Sequence, residues 1–391
     1  MTTTAIYASR ILTPFEEISD AVIIVEGTQI TGMGHRDEIR VPSGATDYVA
    51  TGLTVVPGFV DIHVHGAGGH DVMEAEEEAL DKIACTLARH GTTSMVATTV
   101  TAPIDDTCRS LEGIASYIHA HEKAQENPRL TSEILGIHLE GPFINPARRG
   151  VHPLAAIVPP STGVFEQLLK AGDGRVKILT LAPEMPGGMK LVEAAAAAGL
   201  TVAMGHTDAD YEQAREAIRA GARHAVHTYN AMRPFSHRDP GILGAVMTDP
   251  EVTAEIIVDG VHVAVPAIQV LIGAKGTETV MLVSDGIAAT GMRDGAYRLG
   301  DFEVQVRDGV ARNSEGKLAG STLTMERALR NLVALGVPLI DAVRMATILP
   351  ARRLGLGGKK GVIAPGADAD LVVLTPDLRV AGVMTRGAGL A

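Results

Sequence analysis

Short apolar runs recur along this chain, and most lead into a longer stretch rich in Ala, Glu and Leu. The alternation holds from about residue 55 to residue 358. Runs of β-branched residues at 55–65, 93–99, 133–140, 176–182, 201–205, 224–227, 253–257 and 280–284 predict eight strands. Stretches at 74–90, 163–171, 190–198, 208–220 and 266–274 predict helices between them. Gly91 and Gly221 stand where a glycine ends a helix, and Asp208 stands where a side chain can cap one. Strand, then helix, then strand is the signature of βαβ units. Eight such strands predict an α/β fold closed into a (β/α)₈ TIM barrel.

The two chain ends read differently. Residues 21–25 and 29–33 read as short strands flanking Glu26-Gly27, a hairpin signal. Near the other end a turn at 361–366 precedes a strand at 369–374. A lone hairpin is marginal in water, so neither end can bury a β face alone. The expectation is one small β-sandwich domain built from residues 1–55 and 359–391, with the barrel, residues 56–358, inserted between them. The length of 391 residues suits one barrel of about 250 residues plus a smaller unit.

Composition changes this picture in three places. Aromatic residues make up only 3% and Trp is absent, so branched aliphatics must fill the barrel interior. The net charge of −12 repels polyanions and argues against nucleic acid as a partner. A small anionic substrate would need a local cluster of positive charge. The two cysteines, Cys85 and Cys108, cannot build a disulfide framework, as expected of a cytoplasmic protein. The N-terminal residues lack the basic flank and apolar core of a signal peptide. No apolar run reaches the roughly 18 residues of a membrane span, so no membrane partner is expected.

The polar residues with chemical potential cluster at one kind of position. His63 and His65 end the first predicted strand and Glu140 ends the third. His206 follows the fifth, His227 ends the sixth and Asp285 follows the eighth. The C-terminal ends of barrel strands converge on one rim, where active sites are built. Residues i and i+2 on a strand share a face, so His63 and His65 could grip one cation from the same side. Glu140 has two oxygens and could bridge two cations. A Glu with His206 and His227 leaves a fourth position open, the pattern of a catalytic zinc site. Asp285 could take a proton from an activated water and pass it to a leaving amine. His138 shares a face with Glu140 but lies deeper and reads as packed. His224, at the inner end of its strand, reads as structural.

The segment Pro57-Gly-Phe-Val-Asp-Ile-His-Val-His-Gly66 resembles the first-strand signature of the amidohydrolase superfamily. His138-Leu-Glu-Gly-Pro-Phe143, Gly205-His-Thr207, His227-Thr-Tyr-Asn-Ala-Met232 and Leu318-Ala-Gly-Ser-Thr-Leu323 are similar to segments of the N-acetylglucosamine-6-phosphate deacetylase family. Gly366-Ala-Asp-Ala-Asp-Leu-Val-Val-Leu374 resembles the β-domain return of the wider superfamily. The resemblance covers nearly the whole chain.

That resemblance implies a division of roles. Glu140, His206 and His227 match the ligands of a catalytic divalent metal. His63 and His65 match those of a second, with Glu140 shared. Zinc leads, and iron or cobalt suits mixed nitrogen and oxygen donors equally. Many superfamily relatives bridge their metals with a carboxylated lysine after strand four. Here Lys177 lies at the start of that strand and Ala182-Pro183-Glu184 follows its end, which leaves Glu140 as the bridge. His152 matches the histidine that holds the acetamide carbonyl. Arg238 and His262 match phosphate-binding positions, and the backbone amides of Asn230 and Ala231 match additional contacts. Leu323 falls in a motif placed with the substrate-binding residues. The resemblance also implies a homodimer in which Arg238 reaches the neighbouring active site. The implied reaction is hydrolysis of N-acetyl-D-glucosamine 6-phosphate to D-glucosamine 6-phosphate and acetate.

Two other readings stay open on the sequence. One is another hydrolase of the superfamily, a deaminase or a cyclic amidase. The Arg238/His262 pair and the missing bridging lysine argue against it. The other is a non-catalytic assembly protein on the same barrel. The completeness of the ligand set argues against that.

Overall fold

A computed structural model describes residues 2–123 and 129–390 of the chain. Met1, residues 124–128 and Ala391, which fall inside the end segments and the barrel segment expected above, lie outside the described residues.

Eight parallel strands form the central sheet: β1 (Phe59–Val64), β2 (Thr92–Thr99), β3 (Glu133–Glu140), β4 (Val176–Leu181), β5 (Thr201–Met204), β6 (His224–Ala225), β7 (Thr253–Ile256) and β8 (Val280–Leu282). Each pairs with its neighbour in chain order. The sheet closes where Val64 bridges Gly286 in parallel. There the Asp285 amide donates to His63 O (2.9 Å) and the His65 amide to Gly286 O (2.7 Å). Every residue of β1 and β2 is buried, as expected of a parallel sheet covered on both faces.

All eight expected strands are present, and the first divides. Residues 46–57 belong to a different sheet, and the barrel strand starts at Phe59. Gly58 marks the break: a Cβ there would lie 2.0 Å from Thr93 Oγ1. Only glycine lets the backbone pass so close.

Helices follow the strands at Glu77–Arg89, Thr162–Ala171, Gly188–Ala197, Tyr211–Ala220 and Val265–Lys275. The cap of Tyr211–Ala220 is Asp210, which closes a capping box with Gln213. Asp208, expected in that role, instead accepts from Arg148 (2.7 Å). The pattern reading did not assign the helix Ile104–Lys123. Its apolar signal is Leu111, Ile114 and Ile118, spaced for one helical face and buried. The polar run Asp105-Asp106-Thr107-Cys108-Arg109-Ser110 obscures its start.

An antiparallel sheet of three strands, Gly295–Leu299, Phe302–Arg307 and Val310–Asn313, is inserted after β8. It carries its own small core of Leu299, Val304, Val306 and Ala311, packed with Val100 and Ile287. Val100 directly follows β2, so the insert rests on the C-terminal side of the barrel, and Leu299 reaches the cavity there.

Both chain ends meet in one six-stranded sheet. Leu371–Leu374 pairs antiparallel with the end of Thr46–Pro57, with Leu371 opposite Pro57. Thr3–Leu12 pairs with the other side of the same strand. The hairpin turns at Gly27-Thr28, with Glu26 opposite Gln29.

Lys360 fastens this sheet to the barrel. Its buried ammonium contacts Glu133 at the start of β3 (2.5 Å), Asp368 (2.9 Å) and Asp370 (2.8 Å). Removing one member of a buried ion cluster leaves uncompensated charge and costs about 3–5 kcal/mol. Lys360→Met is therefore expected to lower the thermal unfolding midpoint well below that of the parent, which differential scanning calorimetry would measure. An unchanged midpoint would show that Lys360 is not the fastening.

Candidate metal centre

Six of the polar residues singled out above stand at or just beyond the C-terminal end of a strand. His63 lies in β1 and His65 just beyond it, and Glu140 is the last residue of β3. His206, His227 and Asp285 lie two or three residues past β5, β6 and β8. These three adopt left-handed backbone conformations, with φ of 47°, 28° and 51°. A non-glycine residue held there costs on the order of 1–3 kcal/mol, and such strain concentrates at functional sites.

The side chains converge on the carboxylate of Glu140. Its Oε1 lies 2.9 Å from His227 Nε2, 3.2 Å from His206 Nε2 and 3.3 Å from His63 Nε2. Its Oε2 lies 3.3 Å from His65 Nε2 and 3.5 Å from His152 Nε2. Asp285 Oδ1 stands 3.3 Å from His65 Nε2 and 3.7 Å from His63 Nε2. All seven groups are buried.

The other ring nitrogens constrain what this cluster can hold. His65 Nδ1 faces the carbonyl of Thr98 (3.0 Å), and His206 Nδ1 faces that of Arg148 (3.0 Å). A carbonyl accepts only, so both Nδ1 atoms carry the proton. His63 Nδ1 likewise donates to Glu255 Oε2 (2.8 Å). In the neutral rings, three Nε2 lone pairs therefore point at carboxylate oxygens. Lone pair against lone pair is repulsive unless a cation lies between. His63 Nε2 is buried and has no hydrogen-bond partner among the described residues. Burial, with the nearby His152, lowers His206 to about 4, so it is a free base at neutral pH. Burial opposes protonation of His65 too, but hydrogen bonds to Asp285 and Glu140 outweigh it and raise the ring to about 9. The cluster thus favours positive charge. Nitrogen and oxygen donors at these spacings fit divalent cations.

The donors form three overlapping groups: His63, Glu140 and His227; His63, His65 and Asp285; Glu140, His152 and His206. His152 differs in tautomer from its neighbours. Its Nδ1 accepts the Thr101 amide (3.3 Å), so its Nε2 carries the proton. In that tautomer the Nε2 of His152 is a hydrogen-bond donor facing the cluster, not a lone pair for a cation.

A cavity of about 110 Å³ opens over the cluster. It is lined by His65, Glu140, His152, His206, His227 and Asp285, and also by Asn230, Ala231 and His262. A larger groove of about 730 Å³ lies across Thr101 and Pro153 but contains none of these ligands. His262 is held through Nδ1 by Asp259 (2.6 Å). Burial opposes its protonation, yet Asp259 outweighs that and raises it. The amide of Asn230 is committed to His227 O (2.9 Å), which leaves the Ala231 amide of that expected pair. Leu323 is buried in the hydrophobic core and does not line the cavity. Arg238 sits on an exposed loop outside it.

His138 and His224 are buried and satisfied, as expected. His138 bonds Ile62 O (3.2 Å) and Thr180 Oγ1 (2.7 Å), and burial lowers it to about 3. His224 bonds Thr253 Oγ1 (2.7 Å) and Glu255 Oε1 (2.9 Å). Lys177 is exposed at the start of β4, and Glu184 beyond its end accepts from Asn145 and the Asp208 amide. Neither side chain contacts the histidine cluster, and among the described residues no lysine contacts it. Glu255 went unrecognised in the sequence. Its signal was a lone acid inside a run of otherwise apolar or threonine residues.

The description "Amidohydrolase family" matches residues 54–388. The chain belongs to the amidohydrolase family. Among amidohydrolases, it is 35% identical over 371 residues to the N-acetylglucosamine-6-phosphate deacetylase of Bacillus subtilis (strain 168), covering 95% of this chain and 91% of that one. It is 38% identical over 332 residues to the N-acetylgalactosamine-6-phosphate deacetylase of Escherichia coli O157:H7, covering 85% and 86%. The solved structure of a mutant N-acetyl-D-glucosamine-6-phosphate deacetylase from Mycobacterium smegmatis, in complex with N-acetyl-D-glucosamine-6-phosphate, superposes with a TM-score of 0.92. That match has 38% identity and covers 100% of both chains. The barrel, the sheet formed by the chain ends and the histidine cluster of this amidohydrolase therefore belong to a hydrolytic enzyme fold.

Proposed function

We propose that this amidohydrolase hydrolyses the acetamide of N-acetyl-D-glucosamine 6-phosphate, giving acetate and D-glucosamine 6-phosphate. The observation that carries the reading is the ring of imidazoles around Glu140 with Asp285 beside it. The deacetylases of similar sequence support the substrate.

Glu140, His206 and His227 would hold one divalent cation. His63 and His65, with Glu140 shared, would hold a second. Zinc is the first choice, with iron and cobalt as alternatives. A cation bound there supplies an activated water at neutral pH and polarises the amide carbonyl. His152 donates a hydrogen bond through its Nε2–H to the carbonyl oxygen. Asp285 takes a proton from the attacking water and delivers it to the amine nitrogen as the C–N bond breaks. Water's oxygen ends in acetate; one of its protons reaches the amine through Asp285, and the second, lost as the product acid ionises to acetate, converts the amine to its ammonium form. His262 and the Ala231 amide bind the phosphate, whose remote contacts seat the acetamide over the cluster.

Arg238 completes the phosphate site from a second copy of the chain. It makes no ion pair among the described residues, and Phe235 three residues before it is exposed. The nearby helix Val265–Lys275 exposes Val265 and Val270. These exposed apolar side chains support an interface with a second copy on this side of the chain. A cytoplasmic setting belongs to the same proposal, supported by the free thiols of Cys85 and Cys108.

The deciding experiment is acetate release by chelated and metal-reloaded protein, using the gluco sugar phosphate and its 4-epimer side by side. The galactosamine relative makes the epimer the specific competitor. No acetate from either would end the proposal. A charge-assisted hydrogen bond is worth about 1.5–3 kcal/mol, so Arg238→Ala should raise KM for the phosphorylated sugar about 10- to 100-fold. It should leave the unphosphorylated sugar unaffected. Mixed with Asp285→Asn subunits, the Arg238→Ala chain should recover activity, because one site per heterodimer then has both residues. Failure to recover would place Arg238 outside the neighbouring site.

A further inference from the structure

β7 reads Thr253-Ala-Glu-Ile256, and its acid is fully buried. Glu255 spends both oxygens inside the barrel. Oε2 accepts from His63 Nδ1 (2.8 Å) and from the His227 amide (3.0 Å). Oε1 lies 2.9 Å from His224 Nε2. The His63 ring is also backed by His138, edge-on at 4.7 Å between centroids.

These contacts leave His63 one orientation. Its Nε2 points to Glu140 Oε1 at 3.3 Å and toward Asp285 at 3.7 Å. The other two rings around Glu140 that donate through Nδ1 are held by backbone carbonyls, of Thr98 for His65 and of Arg148 for His206. Of the rings around Glu140, among the described residues, only that of His63 is held by a buried carboxylate. A buried carboxylate is a poor way to gain stability, since well-packed apolar residues serve as well or better. Behind an imidazole it has a specific effect: it fixes the tautomer, orients the ring and makes Nε2 a stronger donor.

We propose that Glu255 is a positioning residue that determines whether the His63/His65 position takes up a second divalent cation. The inference rests on the metal reading given above. Glu255 touches neither substrate nor cation. It acts through the His63 ring, so its loss should empty the second position and spare the first, formed by Glu140, His206 and His227.

The test is zinc stoichiometry. Wild type, Glu255→Gln, His63→Ala and the double variant are loaded with zinc, dialysed and counted by plasma mass spectrometry, with stepwise affinities from calorimetry. Wild type should hold two zinc ions per chain and each variant one. In Glu255→Gln the second affinity should fall about 10- to 100-fold. The retained first zinc and an unchanged circular dichroism spectrum report the fold. Should Glu255→Gln fail to fold, Glu255→Asp keeps the charge but draws it back from His63, and should weaken the second zinc alone. Two zinc ions held by Glu255→Gln or Glu255→Asp at parental affinity would overturn the proposal. So would loss of both zinc ions, or loss of the remaining one when Glu255→Gln is added to His63→Ala. A single zinc in wild type would also overturn it and leave the deacetylase reading standing. A wild type that binds no zinc, iron or cobalt would bring down both.

Discussion

Asp285→Asn is expected to lower kcat by about 10²- to 10⁴-fold, the range for losing a positioned general base and acid. KM and first-site metal content should change little. Asparagine matches aspartate in shape but accepts no proton from water. The native group is suited to that step. Burial pushes its carboxyl up, but the hydrogen bond from His65 and the charges of His63, His65 and His227 outweigh it and hold it below the usual range. It is therefore ionised at neutral pH, as the proposed base must be. Asp285 follows β8 beside the seam of the barrel, with its amide tied to His63 O, so the substitution should not disturb the fold. Acetate release under saturating substrate measures the effect. An undiminished kcat would remove Asp285 from the proton path.

Glu140→Gln should be at least as damaging, for a different reason. Five imidazoles surround this carboxylate. The amide is uncharged and puts an N–H₂ where one oxygen stood. An N–H₂ group has no lone pair for a cation. Loss of a bound cation removes several kcal/mol of transition-state stabilisation, which is about 10⁴-fold or more in rate. Both proposed metal positions would share Glu140, so metal content should fall to near zero, and reloading should not restore activity. Chelation of the parent should give the same loss and be reversed by zinc. The contrast between the two variants is the diagnostic: Asp285→Asn keeps its metal and loses turnover, whereas Glu140→Gln loses both. If Glu140→Gln kept a full complement of zinc, the carboxylate would not be the bridge.

Much of the site was legible in the chain because its signal is local. A barrel strand is apolar along its buried length and turns polar where it reaches the rim. His63, His65, Glu140, His206, His227 and Asp285 all stood at such points, and the structure brings all six together. The resemblance to known segments added His152 and His262, which line the same cavity. It also added Leu323, which lies in the core, and Arg238, which sits on an exposed loop outside that cavity.

What one chain's sequence determined was each residue's position along its own strand: which side chains sit at the C-terminal rim, and that the ends must pair to bury a β face. Those follow from periodicity and burial over a few neighbouring residues. Tertiary structure decided which nitrogen of each ring is free. His63 receives its proton acceptor from Glu255, 192 positions away. His152 receives an amide from Thr101 and so takes the opposite tautomer. Such pairings arise only when the barrel closes, because a hydrogen bond depends on distance and angle in space, and no spacing along the chain encodes them.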